Sequence, residues 1–177
     1  VRSSFRRQDL CGNPHPNHVA EIGIGIKPKL SEMVKESDLL LVIGARLGEM
    51  TTSGYTLIQA PTPRQKLIHI HPGSNELGRV FQGSVMINSD IEEAVDALVS
   101  LPDIGATWGA WLKTGNDNYR ANVIPVSSPG DVDLGEVMTV LRGLLPRDSV
   151  ITNGAGNFSG WIHRHWQYAG YKTQVAP

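Results

Sequence analysis

The stretch Ser37–Gly48, SDLLLVIGARLG, decides how the rest of the chain is read. Leu39 to Ile43 is an unbroken aliphatic run, the pattern of a strand buried on both faces of a parallel sheet. It is far too short to cross a bilayer. It leads straight into Gly44, Ala45 and Arg46, which puts a guanidinium on the turn at the strand's C-terminal end. Ligands of open α/β sheets bind at such ends.

Upstream, Pro28 opens a short amphipathic helix through Leu30, Met33 and Val34, closed by Ser37-Asp38. Val1 to Arg6 reads as a strand, followed by a loop over Gly12 to His18 and a Gly-Ile-Gly-Ile stretch. Downstream, Lys66 to His71 is a second strand, ended by Pro72 and Gly73, and Asn75 to Val80 a short helix. Val85 to Asn88 is a third strand, and Asp90 caps a helix over Ile91 to Leu101. Strands alternating with helices predict an α/β fold with a doubly wound, mostly parallel, Rossmann-like sheet.

Trp108 to Ala121 reads as a connecting helix. Val123 to Gly130 has two prolines, two serines and no periodicity, the composition of a linker. The expected organisation is one domain over residues 1–122, a linker over 123–131 and the opening of a second α/β domain over 132–177. That opening has a helix face (Leu134, Val137, Met138, Leu141, Leu144, Leu145), a strand at Ser149 to Thr152, a turn at Asn153 to Asn157 and a helix from Phe158 to Tyr168. One strand and two helices cannot cover their own edges and faces. With a first residue Val1 and a last residue Pro177, the chain reads as a piece of something longer.

The 177 residues are 40% hydrophobic and 19% charged, ordinary globular material. A net charge of −1 supplies no field for a polyanion, so nucleic-acid binding by charge is not expected. A single cysteine, Cys11, rules out an internal disulfide framework and points to the reducing cytoplasm. Val-Arg-Ser-Ser-Phe-Arg-Arg has no apolar stretch after its charges, so it is not read as a signal peptide, and no membrane partner is expected.

Two places offer binding geometry. Gly154 to Gly160 follows a strand and opens a helix, so its amides can approach an anion, with Gly156 allowing close contact and Asn157 donating from its amide. A tight turn without ligand reads equally well, since G-x-G-x-x-x-G is neither the dinucleotide fingerprint nor a P-loop. Arg46 suits a phosphate or flavin, or a surface ion pair. Cys11, His15 and His18 have the wrong spacing for a zinc finger and lie in a proline-containing loop. Gly23 and Gly25 fail the dinucleotide pattern because Pro28 holds the third glycine's place. His69 and His71 point to one face of their strand, where they either line a ligand crevice or, the favoured reading, are satisfied polar residues at the strand's end. Trp161, His163, His165, Trp166 and Tyr168 read as packing or interface residues. No nucleophile–base pair or paired carboxylates stand out.

The order of segments carries a resemblance. SDLLLVIGARLG, then LIHIHP (Leu67 to Pro72) with ELGR (Glu76 to Arg79), resembles the middle domain of thiamine-diphosphate-dependent enzymes of the acetolactate synthase type. VMTVLRGLLPRDSVITNGAGN (Val137 to Asn157), continuing to TQVAP (Thr173 to Pro177), is similar to the opening of that family's diphosphate-binding domain. The resemblance implies thiamine diphosphate (ThDP) and Mg2+ as cofactors, with the diphosphate on Ala155, Gly156 and Asn157. It implies a 2-oxo acid substrate and a homodimer or homotetramer for the whole enzyme. Where that middle domain holds FAD, the positions correspond here to Gly44, Arg46 and Asp90, with His71 standing where flavin-binding relatives often carry an acid. The Gly12 to His18 loop lacks the family's Gly-Met-x-Gly segment. The family's pyrimidine-activating glutamate and its magnesium segment match no position in this sequence. The alternatives from other classes are a stand-alone nucleotide- or flavin-binding module and a non-catalytic interface subunit.

The resemblance generates a first prediction. The purified 177-residue chain, given ThDP, Mg2+ and pyruvate, shows no carboligation by product analysis; detectable acetolactate would overturn it.

Overall fold

Every strand pairing in the computed structural model, which describes residues 1–177, is parallel. In chain order the strands are β1 (Ser3–Ser4), β2 (Glu21–Ile22), β3 (Leu39–Ile43), β4 (Lys66–His71), β5 (Val85–Asn88), β6 (Ile151–Thr152) and β7 (Gln174–Val175). The helices are α1 (Pro28–Glu36), α2 (Ile91–Val99), α3 (Gly109–Val123), α4 (Leu134–Leu144) and α5 (Ser159–His165). The expected α/β class with parallel strands is what the chain adopts. By packing it divides into a central unit, residues 27–107, and a split unit formed by residues 1–26 with 108–177. That division does not follow the sequence boundary at 122.

The central unit is a three-stranded sheet in the order β3-β4-β5. Leu41 pairs with Ile68 and Ile68 with Val85, and one step on Ile43, Ile70 and Ile87 are likewise in register. Leu67 and Ile70 on the middle strand are fully buried, and Leu30, Met33 and Val34 of α1 join them in the core. The expectation that Leu39–Ile43 is covered on both faces fails, because Leu39 and Leu41 are each 45% exposed. The aliphatic run is an edge strand here, paired only to β4, and Leu39 and Leu41 stay about half open to solvent. Pro28 opens α1 as expected, in the first turn, where a backbone amide has no intrahelical acceptor to lose. The Asp90 carboxylate caps α2 by accepting from the Glu92 amide at 2.9 Å. Residues 75–80 do not form the expected helix; only a short 3-10 turn over Ser74–Glu76 is present.

In the split unit, β1 pairs β2 and β6 pairs β7. The strand expected over Val1 to Arg6 shrinks to Ser3–Ser4, and the helix expected over Phe158 to Tyr168 ends at His165. β6 does not stand alone: Gln174–Val175, too short to show any period, supplies its neighbour. The linker segment is anchored, since the Ser128 amide and hydroxyl both donate to Asp133, whose other oxygen caps α4. Polar groups carry much of this core. The Gln8 amide donates to Gln174 Oε1, the Gln174 amide to Asp9 Oδ2 and the Tyr168 amide to Asn13 Oδ1. All five of these side chains are buried. Trp166 and Tyr168, read from sequence as packing or interface residues, are core residues of this unit.

His18 lies among them, 1% exposed, edge-on to Tyr119 with ring centres 4.8 Å apart and Nε2 3.4 Å from Asn13 Nδ2. The Asn116 amide group donates to its carbonyl at 2.8 Å. Burial pushes its imidazole down to about 4. The unfolded chain takes up this proton near 6.5 and the folded chain only near 4, so stability is full above 6.5 and falls as the pH drops through that window. Burial also lowers His163 and His165, in the same direction. The His18 contribution is on the order of 3 kcal/mol. Urea midpoints are therefore expected to fall between pH 7 and pH 4.5, with a shallower fall in His18→Phe; an equal fall in both would disprove the assignment.

Candidate functional site

The C-terminal ends of β3 and β4 open into a crevice of about 220 Å³, lined by Arg46, Leu47, Gly48, Tyr55, His69, Glu76, Arg79, Val80 and Phe81. Its position follows from the sheet. Parallel pairing brings the β3 turn beside the end of β4, and the Gly44 amide donates to the Ile70 carbonyl at 2.9 Å. His69 is held by Nε2 donating to the Ala45 carbonyl at 3.0 Å, which fixes the turn from the other side. Burial holds this imidazole below its ordinary value, so it is neutral near pH 7. His71 accepts from the Gly73 amide through Nδ1 at 2.9 Å, and its ring meets His69 edge-on at 6.0 Å. Both histidines are thus satisfied, as the sequence reading had it, and His69 also lines the crevice.

The charge in the crevice centres on Glu76. Its Oε1 accepts from Arg79 at 3.2 Å and lies 3.4 Å from Arg46 Nε. The Glu76 side chain is 10% exposed, against 72% for Arg46 and 65% for Arg79. One sheltered carboxylate therefore holds two guanidiniums whose remaining donors face solvent.

Of the residues expected to hold a flavin, only Arg46 lines this crevice. Gly44 has φ +68°, and a Cβ there would lie 3.2 Å from Ile91 Cδ1, so its glycine serves the packing of α2 against the turn. Asp90 spends its carboxylate on the α2 cap. Arg79, Tyr55 and Phe81 were not singled out in the sequence as site residues. ELGR placed Glu76 and Arg79 one helical turn apart, the only local signal of their pairing.

The second expected site, Asn153 to Asn157 between β6 and α5, is exposed apart from Asn153. The amides of Ala155, Gly156 and Asn157 make no hydrogen bond within the chain, whereas the Gly156 carbonyl accepts from Ser159 N at 3.0 Å and Oγ at 2.7 Å. Gly156 has φ +152°, and a Cβ there would lie 2.6 Å from the Phe158 ring. Free donors on a turn that only glycine fits suit the oxygens of a diphosphate. Gly154 has no close neighbour except the Phe158 ring edge.

In the Cys11 to His18 loop, Cys11 is half-buried with its thiol toward the Gly12 carbonyl, His15 accepts from the Asn17 amide and His18 is in the core. No helix in the chain is long and apolar enough to cross a membrane.

A sheet of parallel strands with a crevice at their C-terminal ends is the arrangement of an open, Rossmann-like α/β unit. The family model described as "Thiamine pyrophosphate enzyme, central domain" matches residues 1–98, more than half of the chain, and the chain belongs to that family. Curated relatives include acetolactate synthase 1, chloroplastic, of Nicotiana tabacum, 26% identical over 141 residues, 76% of this chain and 21% of that protein. The acetolactate synthase isozyme 1 large subunit of Escherichia coli (strain K12) is 24% identical over 148 residues, 83% of this chain and 26% of that protein. The large subunit from Lactococcus lactis subsp. lactis (strain IL1403) is 21% identical over 134 residues, 75% of this chain and 23% of that protein. The chain thus matches about a quarter of the length of these relatives.

The structural roles of Gly44 and Asp90 are testable without a ligand. Gly44→Ala should cost about 1–2 kcal/mol, because an L-residue is strained there and Ile91 must shift. Asp90→Ala should cost about 1 kcal/mol and Asp90→Asn almost nothing, since Asn caps equally well. Urea titration of the three variants reads this directly; an Asp90→Ala as stable as the parent refutes the capping role.

Proposed function

We propose that this chain is part of an enzyme that makes or breaks a carbon–carbon bond next to a carbonyl, on pyruvate or another 2-oxo acid, with ThDP and Mg2+. The observation that carries the reading is membership of the thiamine pyrophosphate enzyme family together with relatives that are acetolactate synthases. In this reading residues 1–122 form the middle domain, 123–131 a linker, and 132–177 the start of the diphosphate-binding domain. The whole enzyme is cytoplasmic and works as a homodimer or homotetramer.

ThDP, when bound, supplies the nucleophilic carbon that attacks the substrate carbonyl. This chain's part is positioning. The amides of Ala155, Gly156 and Asn157, unclaimed by the fold, hold the diphosphate, and the Ser159–Gly156 bonds keep the turn in shape before the cofactor arrives. No residue of this chain is assigned to the magnesium or to proton transfer. Gly44, Arg46 and Asp90 remain the positions the family resemblance offers a flavin, but of these only Arg46 reaches the crevice.

The test uses the full-length protein with ThDP, Mg2+ and pyruvate, reading acetolactate formation and cofactor affinity by calorimetry. Gly156→Ala is expected to weaken ThDP binding at least about tenfold, since the added methyl crowds the turn against Phe158. Lys113→Ala, in an exposed pair with Asp117, is expected to change nothing. Parent-like affinity in Gly156→Ala would remove the 155–157 turn from the cofactor site, and failure to process any 2-oxo acid would remove the carboligase reading.

A further inference from the structure

The turn between β6 and α5 carries the only Asn-Gly pair in the chain, Asn153–Gly154. The side-chain amide of an asparagine can be attacked by the backbone nitrogen of the residue that follows it, closing a five-membered imide. A Cβ on that residue crowds the approach, and glycine has none. The nitrogen must also have a proton to lose, and it reacts best when that N–H is not engaged elsewhere in the fold.

Asn153–Gly154 meets both conditions. Gly154 is exposed, and even a Cβ built on it would find nothing nearer than the Phe158 ring edge at 3.8 Å. Its amide makes no hydrogen bond within the chain. The Asn153 side chain folds forward over the same residue, with Nδ2 donating to the Gly154 carbonyl at 3.1 Å. Its Oδ1 is buried and accepts from no donor, so nothing holds the side-chain carbonyl in place. The main chain behind it is fixed, because the Asn153 amide donates to the Val175 carbonyl at 3.1 Å.

The other asparagines lack this combination. Asn13 precedes Pro14, which has no N–H to lose. Asn116 is buried with Nδ2 on the His18 carbonyl, and Asn88 is held by Nδ2 donating to the carbonyls of His71 and Pro72. The amides that follow Asn17 and Asn75 are engaged, His18 donating to the His15 carbonyl and Glu76 to that of Gly73. Asn118 and Asn122 lie within α3, and Asn157 precedes the bulky Phe158.

We propose that Asn153–Gly154 is a site of spontaneous deamidation, and that its isoaspartyl product spoils the 155–157 turn for the diphosphate. The Gly154 nitrogen gives its proton to solvent and bonds to Asn153 Cγ. The Cγ–Nδ2 bond breaks, and Nδ2 takes a proton back and leaves as ammonia. Water then opens the imide. Addition at Cγ leaves aspartate, and addition at the main-chain carbonyl carbon leaves isoaspartate, whose main chain runs through the former side chain. Net, one amide and one water become one carboxylic acid, ionised at neutral pH, and one ammonia, with no change of oxidation state. Either product sets a negative charge two residues before Ala155. Isoaspartate also adds one carbon to the main chain between β6 and the turn, so the amides of Ala155, Gly156 and Asn157 move relative to β6. The modification rests on the geometry of the pair alone; its effect on the cofactor rests on the placement of the diphosphate proposed above.

The test ages the full-length protein at mildly alkaline pH, cuts it after Arg147 and Arg164, and reads the 148–164 peptide by mass spectrometry, with isoaspartyl methyltransferase marking isoaspartate. Asn153 is expected to convert faster than any other asparagine, and Gly154→Ala to slow it at least about tenfold. The proposal is overturned if Asn153 keeps its amide as long as Asn157 in the same peptide does, or if Gly154→Ala ages like the parent. Calorimetry with ThDP and Mg2+ on the same samples reads the consequence. Aged parent is expected to lose ThDP-binding sites in step with its isoaspartate content, and aged Asn153→Gln to lose none. Isoaspartate at 153 with undiminished ThDP binding would overturn that half of the proposal. Fresh protein that takes up no ThDP would remove the diphosphate reading instead, and the peptide masses still decide the modification.

Discussion

β4 is the strand on which the central unit depends, because it alone is paired along both edges. Its Leu67 and Ile70 are sealed in the core, while Leu39, Leu41 and Val85 on the flanking strands remain partly in water. The turn that carries Arg46 into the crevice is fastened to β4's C-terminal half. The Ile70 carbonyl accepts from the Gly44 amide, and the His69 imidazole donates to the Ala45 carbonyl. Arg46 is therefore placed by two bonds to the neighbouring strand before its own side chain makes any contact. α2 then closes on the turn through Ile91, and a glycine at 44 is the condition for that approach.

Within the crevice the Glu76 carboxylate sets the electrostatics. A guanidinium that is mostly solvated gains little from an ion pair. Two of them sharing one sheltered carboxylate gain orientation more than stability. Their excess of one positive charge is local, and the donors not turned to Glu76 face solvent. The turn at 155–157 carries no charge, and it leaves its amides unpaired beside a carbonyl that is fully engaged.

Much of the framework was legible because its signals are local. Leu39 to Ile43, Lys66 to His71 and Val85 to Asn88 are apolar runs bounded by Gly, Pro or Asn, and Asp90 and Pro28 mark helix starts by their own backbone chemistry. What the sequence concealed depends on partners far along the chain. Burial of the LLLVI run is decided by how many strands and helices flank it, which no window of residues contains. β7 has only Gln174 and Val175, too few for any period. The ion pair from Arg46 to Glu76 joins two turns after different strands, and the exposed ring of Tyr55 follows from left-handed backbone at residues whose type does not announce it. Tyr168 is tied into the core by its amide donating to Asn13 Oδ1 across a separation of 155 residues, and Trp166 is buried beside it in the chain.

That last pairing has a consequence for how the chain is made. The bonds that close the split unit run from Gln8, Asp9 and Asn13 to Tyr168 and Gln174, so the chain must emerge as far as Gln174 before all of them can form. The contacts of the central unit all lie within residues 27–107 and become available much earlier in synthesis. Long-range closures of this kind are slow, and they leave the early segment waiting with its polar groups in water. On the ribosome residues 8–13 thus wait for partners made 155 to 166 residues later, while the central unit that lies between them in the chain can already close.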